Sequence, residues 1–258
     1  HYLLEGSKRW TSGAGHARYY VVYCRLSDAP GAKGIGALLV DKEMPGVSFG
    51  KREELMGFRG IETRDIAFDG VRVPRDNLIV GAGGFGKLMS AFGLERCGNA
   101  TQSLGLAAGA LEQATAYVQE RTAFGKPIAH LGKNMEVISR ARIEIEAMRL
   151  MVLRAARAMD TMGNVEARVW ISAVKAMVPE KVCRIIDEAI QIHGATGVSQ
   201  WTPLAAMYKS QRTLRLADGP DEVHHFVVAR FEMGRYGDGP GDVAAPHVQD
   251  EAVDGKPP

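Results

Sequence analysis

Near residue 80 the chain changes its hydrophobic period, and no single class of secondary structure accommodates both parts. Before that point, short β-branched or aromatic runs (Tyr19 to Cys24, Ala37 to Val40) alternate with turn residues at Pro30-Gly31, Gly34, Gly36 and Pro45-Gly46. Ile61 to Val73 reads as further strand, with Asp69-Gly70 as a turn and Pro74 as its stop. Spaced strands with no helical pattern between them predict an antiparallel sheet or partial barrel over residues 1–80.

From about Gly84 the pattern is helical. Leu104, Leu111 and Val118 recur at a seven-residue interval inside an Ala-rich segment from about Phe85 to Glu120. A second segment, about Asn134 to Met159, sets Ile138, Ile145, Met148, Val152, Ala155 and Met159 along one stripe. A third, about Val165 to His193, carries Val169, Ala173, Ala176, Ile186 and Ile190, with a kink expected at Pro179. Shorter helices are expected around Leu204 to Leu216 and Asp221 to Tyr236. Long helices joined by short loops imply an antiparallel bundle over residues 81–236. The fold class is therefore α+β, mainly α. The Gly-, Pro- and Asp-rich tail, residues 237–258, is expected to be disordered.

Composition narrows the function. Thirty-two Lys and Arg balance 30 Asp and Glu, which leaves no electrostatic footprint for a nucleic-acid partner. No apolar run approaches the roughly 20 residues of a membrane helix, so no membrane insertion is expected. Cys24, Cys97 and Cys183 lie far apart and fit buried thiols in a reducing compartment better than a disulfide or zinc framework. No signal peptide opens the chain, and the expected compartment is the cytoplasm, with the mitochondrion and the peroxisome as alternatives. The sequence starts at His1 in mid-pattern, as a truncated chain would.

Two motif-like strings fail on context. Gly81-Ala82-Gly83-Gly84-Phe85-Gly86 matches GxGxxG, but Pro74, Asp76 and Asn77 break the strand before it. A long helix with no following strand comes after it, so it reads as a strand-to-helix hinge rather than a dinucleotide loop. His224-His225 beside Asp221 and Glu222 has no metal-ligand spacing and reads as a partly exposed helix start; no metal is expected.

Three segments are more polar and Gly-rich than their surroundings: Glu120 to Ile128 (ERTAFGKPI), Gln191 to Gly197 (QIHGATG) and Leu216 to His224 (LADGPDEVH). Singly, each serves as a helix terminator. Together, in this order, they resemble the acyl-CoA dehydrogenase family, whose signatures include ERxxFGKPI, QxxGGxG and a catalytic carboxylate before a Gly. Leu94-Glu95-Arg96 through Gly105, Asp69 to Pro74 and Gly6 to Ser12 extend the likeness across nearly all of residues 6–236. The stretch Leu214 to His224 is most similar to the branch typified by mammalian family members 10 and 11. The resemblance implies the second half of an antiparallel middle β-domain followed by a C-terminal four-helix bundle, with the front of the enzyme missing.

The chemistry implied is oxidation of an acyl-CoA thioester to the trans-2-enoyl-CoA. A carboxylate removes the α-proton while the β-hydrogen leaves as hydride to FAD. By resemblance the base is Asp218, one methylene shorter than the family's usual Glu, with its own backbone N–H helping to polarise the thioester carbonyl. Glu95, on the long helix, is the alternative base. Phe92, Arg96 and Gly219 are expected on the substrate side. Trp10 and Ser12 are expected to bind the flavin, Arg121 and Phe124 its pyrophosphate or adenosine portion, and Gln191 and Gly194 the FAD of a neighbouring subunit. Ala195 stands where the family has a second glycine.

That arrangement implies a homodimer or homotetramer, with electron-transfer flavoprotein as acceptor. Two competitors remain: a non-oxidising acyl-CoA flavoprotein of the same fold, which the presence of Asp218 argues against, and a non-catalytic helical scaffold. A scaffold has no use for Trp10, Arg121 and Gln191 together.

Overall fold

A computed structural model describes residues 1–237. All but the first residue of the tail expected to be disordered lies outside the described residues. Strands β1 (Tyr2–Ser12), β2 (Tyr19–Arg25), β3 (Ile35–Asp41), β4 (Val47–Phe49), β5 (Thr63–Val73) and β6 (Leu78–Val80) form two three-stranded antiparallel sheets, ordered β1-β5-β4 and β2-β3-β6. Leu4, Tyr20, Val22, Leu38, Val40, Ile66, Phe68, Val71 and Val73 make one core beneath them.

Asp69-Gly70 is not the turn expected from its sequence. β5 runs through it as a bulge: Leu4 pairs with Val71 but Gly6 with Phe68, so one extra residue lies on β5. Gly70 takes φ 60°, and its N–H donates to Glu5 Oε1 at 2.9 Å. The insertion switches the parity of the strand, so that Ile66 and Phe68 before it and Val71 and Val73 after it all face the core. A second bulge falls on β1 between Lys8 and Thr11, where Trp10 takes φ 60°.

The helices follow: α1 (Phe85–Glu120), α2 (Asn134–Met162), α3 (Arg168–His193), α4 (Leu204–Thr213) and α5 (Asp221–Met233). Between α1 and α2, the two-residue strands β7 (Thr122–Ala123) and β8 (Lys126–Pro127) form a hairpin. The helical stripes read from sequence pack together, with Leu111, Val118, Ile145, Met148, Val152, Ala155, Ala176 and Ile186 all buried. α3 is the hub and packs against α1, α2, α4 and α5. Its buried residues include the consecutive runs Ile171-Ser172 and Val174-Lys175-Ala176, and from Val169 to Pro179 no residue is exposed, so this half is enclosed on every side, while Glu180, Arg184, Asp187 and Gln191 face solvent further along. α3 continues unbroken through Pro179, whose carbonyl accepts from Gln211 Nε2 at 3.4 Å. All three cysteines are free; Cys97 and Cys183 are buried, but Cys24 is only half-buried, short of the buried thiol expected.

Met148 has no solvent exposure in the helical core. Met148→Ala should cost about 2–4 kcal/mol, because the cavity left behind adds to the lost transfer free energy. Urea unfolding at neutral pH measures it.

Candidate active site

Where α1, α3 and the start of α5 meet, a short loop carries Asp218 and Gly219. Asp218 has φ 56°, in the left-handed region that a side chain with a Cβ avoids. Two residues of α1, three apart and so on one face of the helix, hold it. Asn99 Nδ2 donates to the carboxylate Oδ2 at 2.7 Å, and Arg96 Nε donates to the Asp218 carbonyl at 2.9 Å. Arg96 is half-buried; burial pulls its guanidinium below the ordinary value, against the attraction of Asp218 and Glu95. Its guanidinium also lies over the Phe92 ring at 5.6 Å, and Phe92 meets Tyr23 of β2 edge-on at 5.8 Å. Glu95 is exposed, with no hydrogen bond or ion pair among the described residues. Of the two candidate bases, Asp218 is the anchored one.

Two buried groups that sequence reading missed complete the loop's support. Lys175, from the middle of α3, has no solvent exposure and donates to the carbonyls of Leu214 at 2.6 Å and Gly219 at 3.2 Å. Burial lowers its pKa, and the charges of Asp221 and Asp218 oppose that shift. The only sequence trace of this role is a lysine inside the apolar run Ala173 to Val178. His224 corrects the expectation of a partly exposed helix start, because its ring is 2% exposed while His225 is exposed. One ring nitrogen, Nε2, lies 3.1 Å from the Asp218 carbonyl, and Nδ1 lies 3.2 Å from Ser172 Oγ. Gly219, at φ +101°, leaves room for that ring, since a Cβ there would come within 2.9 Å of Nε2. α5 starts at Asp221, as expected; Asp221 is buried and accepts from Arg215 Nε at 2.6 Å.

A cleft of about 320 Å³ opens beside this loop, lined in part by Met89, Gly93, Arg96, Asn164, Ser172 and Val227. It shares Arg96 and Ser172 with the Asp218 network, although Asp218 and Gly219 themselves do not line it.

The expected cofactor residues lie elsewhere. Arg121 caps the C-terminus of α1, exposed and with no side-chain partner among the described residues. Phe124, 93% exposed, and Gly125 take φ 53° and 78° in the two-residue loop of the β7–β8 hairpin, the type I′ pattern. At the end of α3, Gln191 is exposed and Gly194 takes φ 59°. These two ends are brought together by Tyr117 and His193, whose rings stack at 4.2 Å. Trp10 and Ser12 stand exposed at the end of β1, and no hydrogen bond or ring contact among the described residues joins them to the helices. From Asn99 to Arg121 the helix rises by about 33 Å at 1.5 Å per residue, so the two groups of residues are separate centres.

Burial moves the His224 pKa from its ordinary 6.5 to about 4; the hydrogen bond to Asp218 opposes this, and the charges of Arg96 and Lys175 reinforce it. The unfolded chain then binds more protons than the folded one between those values. Stability is full above pH 6.5 and is lost as pH falls towards 4, by roughly 3 kcal/mol from this group. Urea unfolding across that window should show the loss, and His224→Gln should remove this component of the slope.

Comparison with known proteins matches these elements to two family models: "Acyl-CoA dehydrogenase, middle domain" over residues 1–71 and "Acyl-CoA dehydrogenase, C-terminal domain" over residues 82–233. Acyl-CoA dehydrogenase family member 11 of Rattus norvegicus is 38% identical over 244 residues, covering 90% of this chain and 31% of its own length. Family member 10 of Mus musculus is 37% identical over 238 residues, covering 90% and 22%. Butyryl-CoA dehydrogenase of Megasphaera elsdenii, 29% identical, aligns with a TM-score of 0.82 over 90% of this chain and 60% of its own. The chain thus spans under a third of the two mammalian relatives and about three-fifths of the solved one. It belongs to the acyl-CoA dehydrogenase family.

Proposed function

We propose that this chain carries the base and part of the flavin site of an FAD-dependent acyl-CoA dehydrogenase, which converts an acyl-CoA thioester to its trans-2-enoyl-CoA. The observation that carries this reading is the anchored Asp218 carboxylate, held by Asn99 on a left-handed loop whose other α1 anchor, Arg96, lines the neighbouring cleft. A group in a disfavoured backbone conformation, kept there by buried partners, is what a positioned base requires. The N–H groups of Asp218 and Gly219 have no acceptor among the described residues, which supports their use towards a thioester oxygen. Arg96, drawn to the same loop, adds positive charge where the enolate develops.

The residues present fit FAD by their chemistry. A guanidinium with no side-chain partner among the described residues, an exposed aromatic ring on a two-residue turn and an exposed amide suit a pyrophosphate and its adenosine. Trp10, with 56% of its surface exposed, offers an indole face. When bound, the flavin supplies the acceptor for the β-hydrogen. The chain's own work is to hold the cofactor, orient the thioester and take the α-proton on the Asp218 carboxylate. Arg121 lies about 33 Å along α1 from Asn99, and Gln191 stands at the end of α3 that the Tyr117–His193 stack draws to it, which supports a role for both at the FAD of a second subunit. A homodimer or homotetramer follows, with electron-transfer flavoprotein as the electron acceptor.

Asp218→Asn should lower turnover by at least about 1,000-fold, while Glu95→Gln stays within a few-fold of the parent. The flavin-to-protein ratio should be unchanged in both. Full turnover in Asp218→Asn together with loss in Glu95→Gln would transfer the role to Glu95.

A further inference from the structure

The Asp218 side chain points where its own peptide allows, and that peptide is gripped from below. Its carbonyl receives Arg96 on one side and faces His224 on the other, while the next carbonyl, of Gly219, receives Lys175. A carbonyl oxygen can only accept, so the nitrogen facing it, Nε2, bears the proton. Nδ1 is then left to accept from the Ser172 hydroxyl, which fixes the tautomer. Ser172 and Lys175 are three apart on α3, as Arg96 and Asn99 are on α1, so two helix faces converge on one loop. The imidazole also packs where Gly219 has no side chain, so that neither partner can move without the other.

We infer that His224, oriented by Ser172 and donating from Nε2 to the Asp218 carbonyl, is a positioning residue that sets the angle at which the Asp218 carboxylate meets the α-proton. This rests on the assignment of Asp218 as base. It touches no substrate itself: without it, the Asp218 carbonyl keeps Arg96 alone, the 218–219 peptide is held less tightly, and the carboxylate strays from its angle at Asn99. Burial, together with the charges of Arg96 and Lys175, keeps the ring neutral, as an Nε2–H donor with an accepting Nδ1 requires.

Two measurements test it on the flavin-loaded protein. In steady-state kinetics, His224→Leu should lower kcat about 100-fold, the cost of a misplaced group, with KM little changed. His224→Gln, whose amide can donate at the same carbonyl, should restore most of kcat. Equal impairment of the two variants, or full activity in His224→Leu, overturns the inference. Independently of turnover, 15N resonances of ring-labelled His224 in the unmutated protein should show the neutral Nε2–H tautomer at pH 7. They should also shift towards a tautomer mixture in Ser172→Ala. An Nδ1–H tautomer or an imidazolium overturns the inference even if the Leu variant does not fold. Asp218→Asn run alongside separates the two readings: retained turnover there defeats the base assignment and the positioning role with it. A dead Asp218→Asn beside a fully active His224→Leu defeats the positioning role alone.

Discussion

A buried lysine ammonium whose hydrogen bonds among the described residues all go to carbonyls is the constraint on which the site depends. Lys175 sits in the enclosed half of α3, the helix that packs against the other four, where an unpaired charge costs several kcal/mol. It finds its acceptors in two carbonyls of a single loop, those of Leu214 and Gly219. Those bonds tie the loop to the centre of the bundle, and the arrangement around Asp218 follows: the left-handed backbone, the grip of Arg96 and the room for His224 above Gly219. The hydrophobic packing of α1, α2 and α3 holds the lysine in place. In turn, the lysine lets a packing core dictate the geometry of a polar loop.

Backbone strain marks the same places. Among the described residues, four side chains other than glycine have positive φ: Trp10, Phe58, Phe124 and Asp218. Three of these are residues that the resemblance assigns to flavin or base. Each is held by a different device, a β-bulge for Trp10, a two-residue hairpin for Phe124 and buried donors for Asp218. A conformation costing of order 1–3 kcal/mol persists only where the surroundings over-determine it, which suits groups that must present a side chain at a fixed angle.

The sequence made the change of period near residue 80 legible because a heptad-like recurrence and Gly-punctuated strands bury different faces. The long helices were readable for the same reason: Ile145, Met148, Val152 and Ala155 all turn inward. β1 was not, since of its eleven residues only Leu4 is buried and no alternation shows. The strands β7 and β8 are two residues each, too short for any pattern. Asp218, Arg96 and Gly219 came from motif resemblance, and the structure brings those three together. Lys175 and His224 could not be read, because their partners are remote in sequence: Lys175 from Leu214 by 39 residues and His224 from Ser172 by 52. For His224-His225, a helix turns about 100° per residue, so one ring of the pair enters the core while its neighbour faces solvent.

Asp218 and the proposed flavin residues have one joint consequence, that this chain takes part in flavin-dependent oxidation of an acyl-CoA. The most direct test is the visible spectrum of the purified protein reconstituted with FAD, recorded anaerobically while a series of acyl-CoAs is added. The account predicts a flavin band that bleaches with at least one acyl-CoA, with the matching enoyl-CoA formed in equal amount. A bound flavin that stays oxidised with every acyl-CoA, while an added reductant still bleaches it, would contradict the account.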